Sequence, residues 1–388
     1  MQILGRVEPG FEPVRDAFEA NFDKRGDVGA AFCLYVGGRS VVDVWAGTAD
    51  TRTGRAWDSD TLTLVYSTTK GVTAICAHLL VQQGRLDPDA PVAAYWPEFA
   101  AAGKESVTVR HLLSHRAGLP TLDPRISPEA ALEWEPAVRN LAAQAPMWEP
   151  GTRHGYHAVT FGWLVGEVIR RVSGRSPGRF LAEEVAGPLE LDLWIGLPAA
   201  EEPRMSRLIA AGPPVPDKAA MAAMPADQLE RLRAMMAPDS LMQRALNPTD
   251  PPFSFNRREV HAGELPGANG IATARALARL YAATVGEVDG RRLLSETTVE
   301  AAAEERSNGP DEVLVRPTRF GSGFFLDSPF SPMLGPRSFG HAGAGGSLAF
   351  ADPERQVGFA YVMNRMQQAL SADPRPATLV DAVRRCLD

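Results

Sequence analysis

Lysine is nearly missing from this chain, which has four lysines against 36 arginines. Solvated positive charge is therefore left to arginine, and each lysine invites a specific explanation. Cysteine is scarcer still: Cys33, Cys76 and Cys386 are odd in number and far apart. That pattern excludes a disulfide framework and reads as reduced thiols in a cytoplasmic protein. The opening stretch MQILGRVEPGFEPVRDAFEANF has no apolar h-region, so no export signal is read in it. No apolar run is long enough to span a bilayer. Basic runs stop at pairs such as Arg170-Arg171, and the net charge of −7 opposes a polyanion-binding surface. Neither nucleic acid nor a membrane is an expected partner. P-loop and Rossmann fingerprints are absent, as are internal repeats of about 20–50 residues.

What remains is an ordinary globular composition, 45% apolar and 22% charged over 388 residues. It suits one large composite domain or two. Phe11, Val14, Phe18 and Phe22 recur at three- and four-residue steps and predict a helix over 11–24. Two β-rich runs then flank Gly37-Gly38, a hairpin signal. Helical spacing follows over 68–83, 107–115, 129–143 and 158–173. The Met- and Pro-rich stretch AAMAAMPADQLERLRAMMAPDSLMQ predicts short helices with an adaptable apolar face, and 220–255 is expected to line a pocket. A later helix begins at NGIATARALARLYAATV, with Thr273 as its N-cap. Short strands return in RFGSGFFL, SFGHAGAGGSLAF and QVGFAYVMN before a last helix in PRPATLVDAVRRCLD. Strands at both ends around a helical middle imply an α/β chain of α+β type, with a mostly antiparallel sheet and an inserted helical section.

Three segments offer chemistry. In Ser67-Thr68-Thr69-Lys70 the serine and lysine share a face if a helix starts there. The lysine amine can then act as base toward a hydroxyl held at a helix N-terminus. Tyr156 precedes a helical run in WEPGTRHGYHAVTF, where a phenol can shuttle a proton. The small residues after His341 in FGHAGAGGSLAF suit close backbone approach and an oxyanion hole. Other matches read as structural. GRSPG places Ser176 in a G-x-S-x-G pattern, but a helix precedes it where a nucleophile elbow needs a strand. His111 and His115 lie at i and i+4 without an acidic base or a third ligand, so no metal site is expected.

Taken in order, STTK, WEPGTRHGYH and FGHAGAGGS resemble the SxxK serine hydrolases. These comprise class C β-lactamases, penicillin-binding DD-peptidases and family VIII carboxylesterases. VTVRHLLSHRAGLP and ANGIATARALARLY fit the same superfamily. The resemblance implies a β-lactamase-like sandwich with N- and C-terminal helices on its sheet. Residues 1–75 and 268–388 would form the sheet domain, and 76–267 an all-helical domain. It also implies Ser67 as nucleophile, Lys70 as its base, Tyr156 as proton carrier, and the N–H groups of Ser67 and Ala344 as oxyanion hole. His341, Gly343 and His157 would contact substrate, and no cofactor would be needed. Two departures shape the expected substrate: His157 stands where the family has an asparagine in Tyr-x-Asn, and His341 where it has a lysine in Lys-Thr-Gly. Both favour a family VIII-like carboxylesterase acting on small or medium acyl esters. The alternatives are a β-lactamase, a D-aminopeptidase or DD-peptidase, an acyltransferase, or a catalytically idle ligand-binding or scaffold member. The oligomeric state, monomer or homo-oligomer, is left open.

Overall fold

Alternation of side chains across the strands divides the core in two. Phe32 and Leu34 of one strand, with Phe359 and Tyr361 of its neighbour, bury against Val14 and Phe18 and against Leu379 and Val383. Cys33 and Tyr35, with Ala360 and Val362, point the other way onto Leu277 and Tyr281. Period-two burial on both faces requires a sheet covered on both sides. The computed structural model describes residues 2–212, 237, 239–368 and 373–388, and most of the Met-rich stretch read from sequence as short helices lies outside them.

The main strands are β1 (Leu4–Val7), β2 (Gly29–Val36), β3 (Arg39–Asp50), β4 (Ser307–Pro310), β5 (Pro317–Phe320), β6 (Phe325–Leu326), β7 (Phe339–Ala342), β8 (Leu348–Asp352) and β9 (Val357–Met363). They lie in the order β1-β3-β2-β9-β8-β7-β6-β5-β4, and Arg55–Ala56 pairs off this path with β3. All these pairings are antiparallel. The N-terminal helix α1 (Glu12–Arg25) and the C-terminal helix α5 (Pro374–Leu387) cover one face. Helix α4 (Ala274–Val285) covers the other, its N-terminus capped by the Thr273 hydroxyl as expected. It lies so close to β9 that a Cβ on Gly358 would fall 2.2 Å from the Ala278 carbonyl oxygen.

Between the two blocks of strands, helix α2 (Thr68–Gln82) is buried from Thr68 to Leu80 on every side. A helix apolar all round belongs in an interior, and this one packs against α3 (Thr160–Ser173). The periodicity over 129–143 becomes two helices, Pro128–Leu132 and Glu135–Ala143. Trp134 breaks them at φ 72°, and Pro136 opens the second. Among the described residues of 76–267, one short strand appears, Leu193–Trp194, paired with Ile271–Ala272 and through it with Thr63–Leu64. That small sheet ties the helical section to the loop before α2.

Candidate active site

Ser67 occupies the N-cap of α2, and the residue before it, Tyr66, has φ 47°. A bulky residue in the left-handed region is strained and persists only where its surroundings hold it. Here the Tyr66 ring packs edge-on against Phe255, and its hydroxyl donates to Met366 Sδ at 3.3 Å. One helical turn on, Lys70 is wholly buried with Nζ 3.0 Å from Ser67 Oγ. Its other neighbours are two backbone acceptors, the carbonyls of Ala158 and Gly267. Burial holds the amine well below its ordinary value of 10.5. A neutral amine has two N–H bonds and one lone pair. With the two carbonyls taking those N–H bonds, Lys70 in its neutral form would turn the lone pair to the serine.

Tyr156 is 6% exposed and lies against the same pair, with Lys70 Nζ 4.8 Å from its ring centre. Its ring stacks on Phe325 and His341. Its backbone N–H donates to Asp311 Oδ1 at 3.0 Å. Burial pushes the phenol upward, the hydrogen bond with Ser67 pulls it down, and the Asp311 charge adds to the rise. The phenol therefore keeps its proton at neutral pH, so lysine is suited to accept a proton and tyrosine to give one.

The strand turn after β7 closes the site from the other side. Gly343 N–H donates to Ser347 O at 2.7 Å, the Ser347 hydroxyl to Val65 O at 2.9 Å, and the Thr68 hydroxyl to His341 O at 3.3 Å. A Cβ on Gly343 would lie 2.1 Å from Val65 O, so only glycine lets this turn reach the start of α2. Among the described residues, the N–H groups of Ser67 and Ala344 have no backbone acceptor. One is on the serine itself and the other on the turn that reaches the start of α2, and free donors of this kind are what a developing oxyanion requires.

Comparison with known proteins shows the family and the fold. The beta-lactamase family profile matches residues 14–383. This chain belongs to the beta-lactamase family. The esterase/beta-lactamase LipL of Mycobacterium tuberculosis is 37% identical over 382 residues, covering 95% of this chain and 84% of that protein. The crystal structure of a family VIII carboxylesterase matches with a TM-score of 0.88 at 39% identity, over 100% of both chains. A penicillin-binding protein homologue from Caulobacter crescentus matches with a TM-score of 0.87, also at 39% identity and over 100% of both.

Within this beta-lactamase-family fold, the two histidines behave differently from the substrate contacts expected of them. His157 is fully buried, accepting from Leu119 N–H at Nε2 (2.9 Å) and donating from Nδ1 to Gly155 O (2.7 Å). Both ring nitrogens are spent on backbone groups, so the expectation that His157 contacts substrate is corrected: it fixes the loop carrying Tyr156. His341 is also fully buried, with Nδ1 donating to Ala342 O at 2.7 Å and Nε2 left without a partner. Burial first, and the neighbouring Lys70 second, hold it well below 6.5. It therefore places no cation where the family's lysine would sit. Gly343 acts through its lack of a side chain. Ser176 caps the helix Pro177–Leu181, and its hydroxyl donates to Glu264 at 2.6 Å, far from this constellation in role. His111 closes a capping box with Thr108 through Nδ1, and His115 accepts from His157 N–H at Nδ1. The described part of 220–255 brings Phe255 against Tyr66; residues 220–236 and 238, included in the expected pocket lining, lie outside the described residues. Sequence reading missed Tyr66, Asp311 and the two carbonyls that hold Lys70. A non-glycine φ and a backbone carbonyl leave no mark in a single sequence.

Proposed function

We propose that the protein is a serine carboxylesterase that hydrolyses small or medium acyl esters through an acyl-enzyme on Ser67. The observation that carries this reading is the Lys70 amine, wholly buried, bonded to two carbonyls and 3.0 Å from Ser67 Oγ. Lys70 takes the Ser67 proton as Oγ attacks the ester carbonyl. The N–H groups of Ser67 and Ala344 receive the oxyanion. Tyr156 passes its proton to the departing alkoxide and recovers one from the Lys70 ammonium. Water then attacks the acyl-enzyme, losing its proton to Lys70 through Tyr156. Collapse of the second tetrahedral adduct releases the acid and returns that proton to Ser67.

An ester is favoured over a carboxylate-bearing β-lactam or peptide because the His341 position offers no positive charge. The relatives named esterase or carboxylesterase support the same choice. The three unpaired thiols suit a cytoplasmic setting. Ser67→Ala should abolish hydrolysis of p-nitrophenyl butyrate while Ser176→Ala leaves it intact. The reverse pattern would remove Ser67 from the mechanism, and faster turnover of nitrocefin than of any ester would move the assignment to a β-lactamase.

A further inference from the structure

We infer that Arg375 is the positioning residue of the oxyanion hole, holding the turn that carries Ala344 by its grip on the Gly345 carbonyl; this rests on the esterase reading above. Arg375 lies in the first turn of α5 yet has no exposed surface. Its guanidinium joins four parts of the chain. One terminal nitrogen, Nη2, donates to Gly345 O and to Asp373 Oδ2, the latter at 2.6 Å. The other, Nη1, donates to Asp27 Oδ1 and to Arg365 O, each at 2.8 Å. The Tyr361 hydroxyl donates to the second Asp27 oxygen at 2.6 Å, anchoring the carboxylate to β9.

Such a planar fork presents donors in fixed directions, so its carboxylate partners determine where the Gly345 carbonyl must sit. That carbonyl belongs to the Gly345–Gly346 peptide, two peptide units along from the one that carries the Ala344 N–H. That peptide is planar, so fixing its oxygen fixes the plane at the far end of a short turn and leaves only the dihedrals of Gly345 and Ala344 between it and the Ala344 N–H. The turn has few other restraints on this side: Gly345 O accepts a second bond from Gln367 N–H at 3.1 Å, and Gly346 N–H bonds back to Gly343 O at 3.2 Å. The opposite side is held by the Gly343, Ser347 and Val65 contacts at the start of α2. Ala344 is thus held from two directions, by the nucleophile's helix and by Arg375.

Arg375→Lys tests this, since a single ammonium keeps the charge but not the fork. Sites are counted by fluorophosphonate labelling, so that unfolded molecules do not enter kcat. The expected result with p-nitrophenyl butyrate is a kcat per labelled site lower by about 10- to 100-fold, with KM within about threefold. Amide exchange in the peptide 339–350 should rise in the same variant. Gly358→Ala, destabilising but remote from the turn, should leave kcat per site and that exchange unchanged. Wild-type exchange in a folded Arg375→Lys would overturn the proposal, as would kcat within twofold of wild type or a loss matched by Gly358→Ala. If Arg375→Lys does not fold, Asp373→Asn, which weakens the hold on the same guanidinium, is judged on the same readouts. A wild type that turned over no ester would refute the esterase reading, and the exchange data would then decide the clamp by themselves.

Discussion

Replacing Lys70 by methionine separates the two consequences of burying an amine. Methionine fills nearly the same volume, so packing around α2 changes little. The carbonyls of Ala158 and Gly267 lose their donors, and a buried acceptor left unpaired costs about 1–3 kcal/mol. Against that, the variant no longer has to release a proton on folding. In the unfolded chain Lys70 is protonated below its ordinary value of 10.5, whereas burial keeps it neutral in the folded chain to lower pH. Between those two values the unfolded state holds one more proton. Wild-type stability therefore falls as pH falls across that window, by about 1.4 kcal/mol per pH unit from this group. Lys70→Met lacks that slope. Urea titrations of both proteins from about pH 10 downward should show the variant least favourable at the alkaline end and gaining on the wild type until the folded amine takes up its proton. Parallel curves would mean that Lys70 is protonated in the folded protein, and the neutral-base argument would fail. The same variant should lose about 10²- to 10⁴-fold in kcat, and wild-type kcat/KM should fall as pH falls through the folded pKa of the amine.

Tyr156→Phe should lower kcat on p-nitrophenyl esters by about 10²-fold or more while leaving urea stability within about 1 kcal/mol, because the ring keeps its stacking on Phe325 and His341 and loses only a hydroxyl. His157, held neutral by burial down to about pH 4, binds its proton in the unfolded chain first. Its contribution to stability should therefore disappear between pH 6.5 and 4, about 3 kcal/mol in all, and His157→Gln should flatten that part of a stability-against-pH curve measured in urea. Gly358→Ala should cost about 1–3 kcal/mol in the same assay, since its new methyl meets the backbone of α4 rather than a side chain that can move.

Local signals in the sequence found the elements whose cause is local. Gly37-Gly38 marked the hairpin of β2 and β3, and Thr273 marked the start of α4. The break at Trp134 was also signalled, by Pro136, but helical spacing on both sides hid it. Ser67 and Lys70 were legible because three residues of helix bring them together. What holds the lysine amine was not, since Ala158 and Gly267 lie 88 and 197 residues away along the chain. The same distance concealed the contact between Asp27 and Arg375, 348 residues apart. His157 looked like a substrate contact because it stands in a family motif, and only the positions of Leu119 and Gly155 show that its ring is already committed.

Intact mass after brief incubation with p-nitrophenyl butyrate and acid quench, followed by peptide mapping, bears most directly on the proposed chemistry. The account predicts one butyryl group per chain, mapped to Ser67, absent from Ser67→Ala and retained in Ser176→Ala. An adduct on any other residue, or turnover with no adduct on Ser67 under conditions where acylation outpaces deacylation, would contradict it.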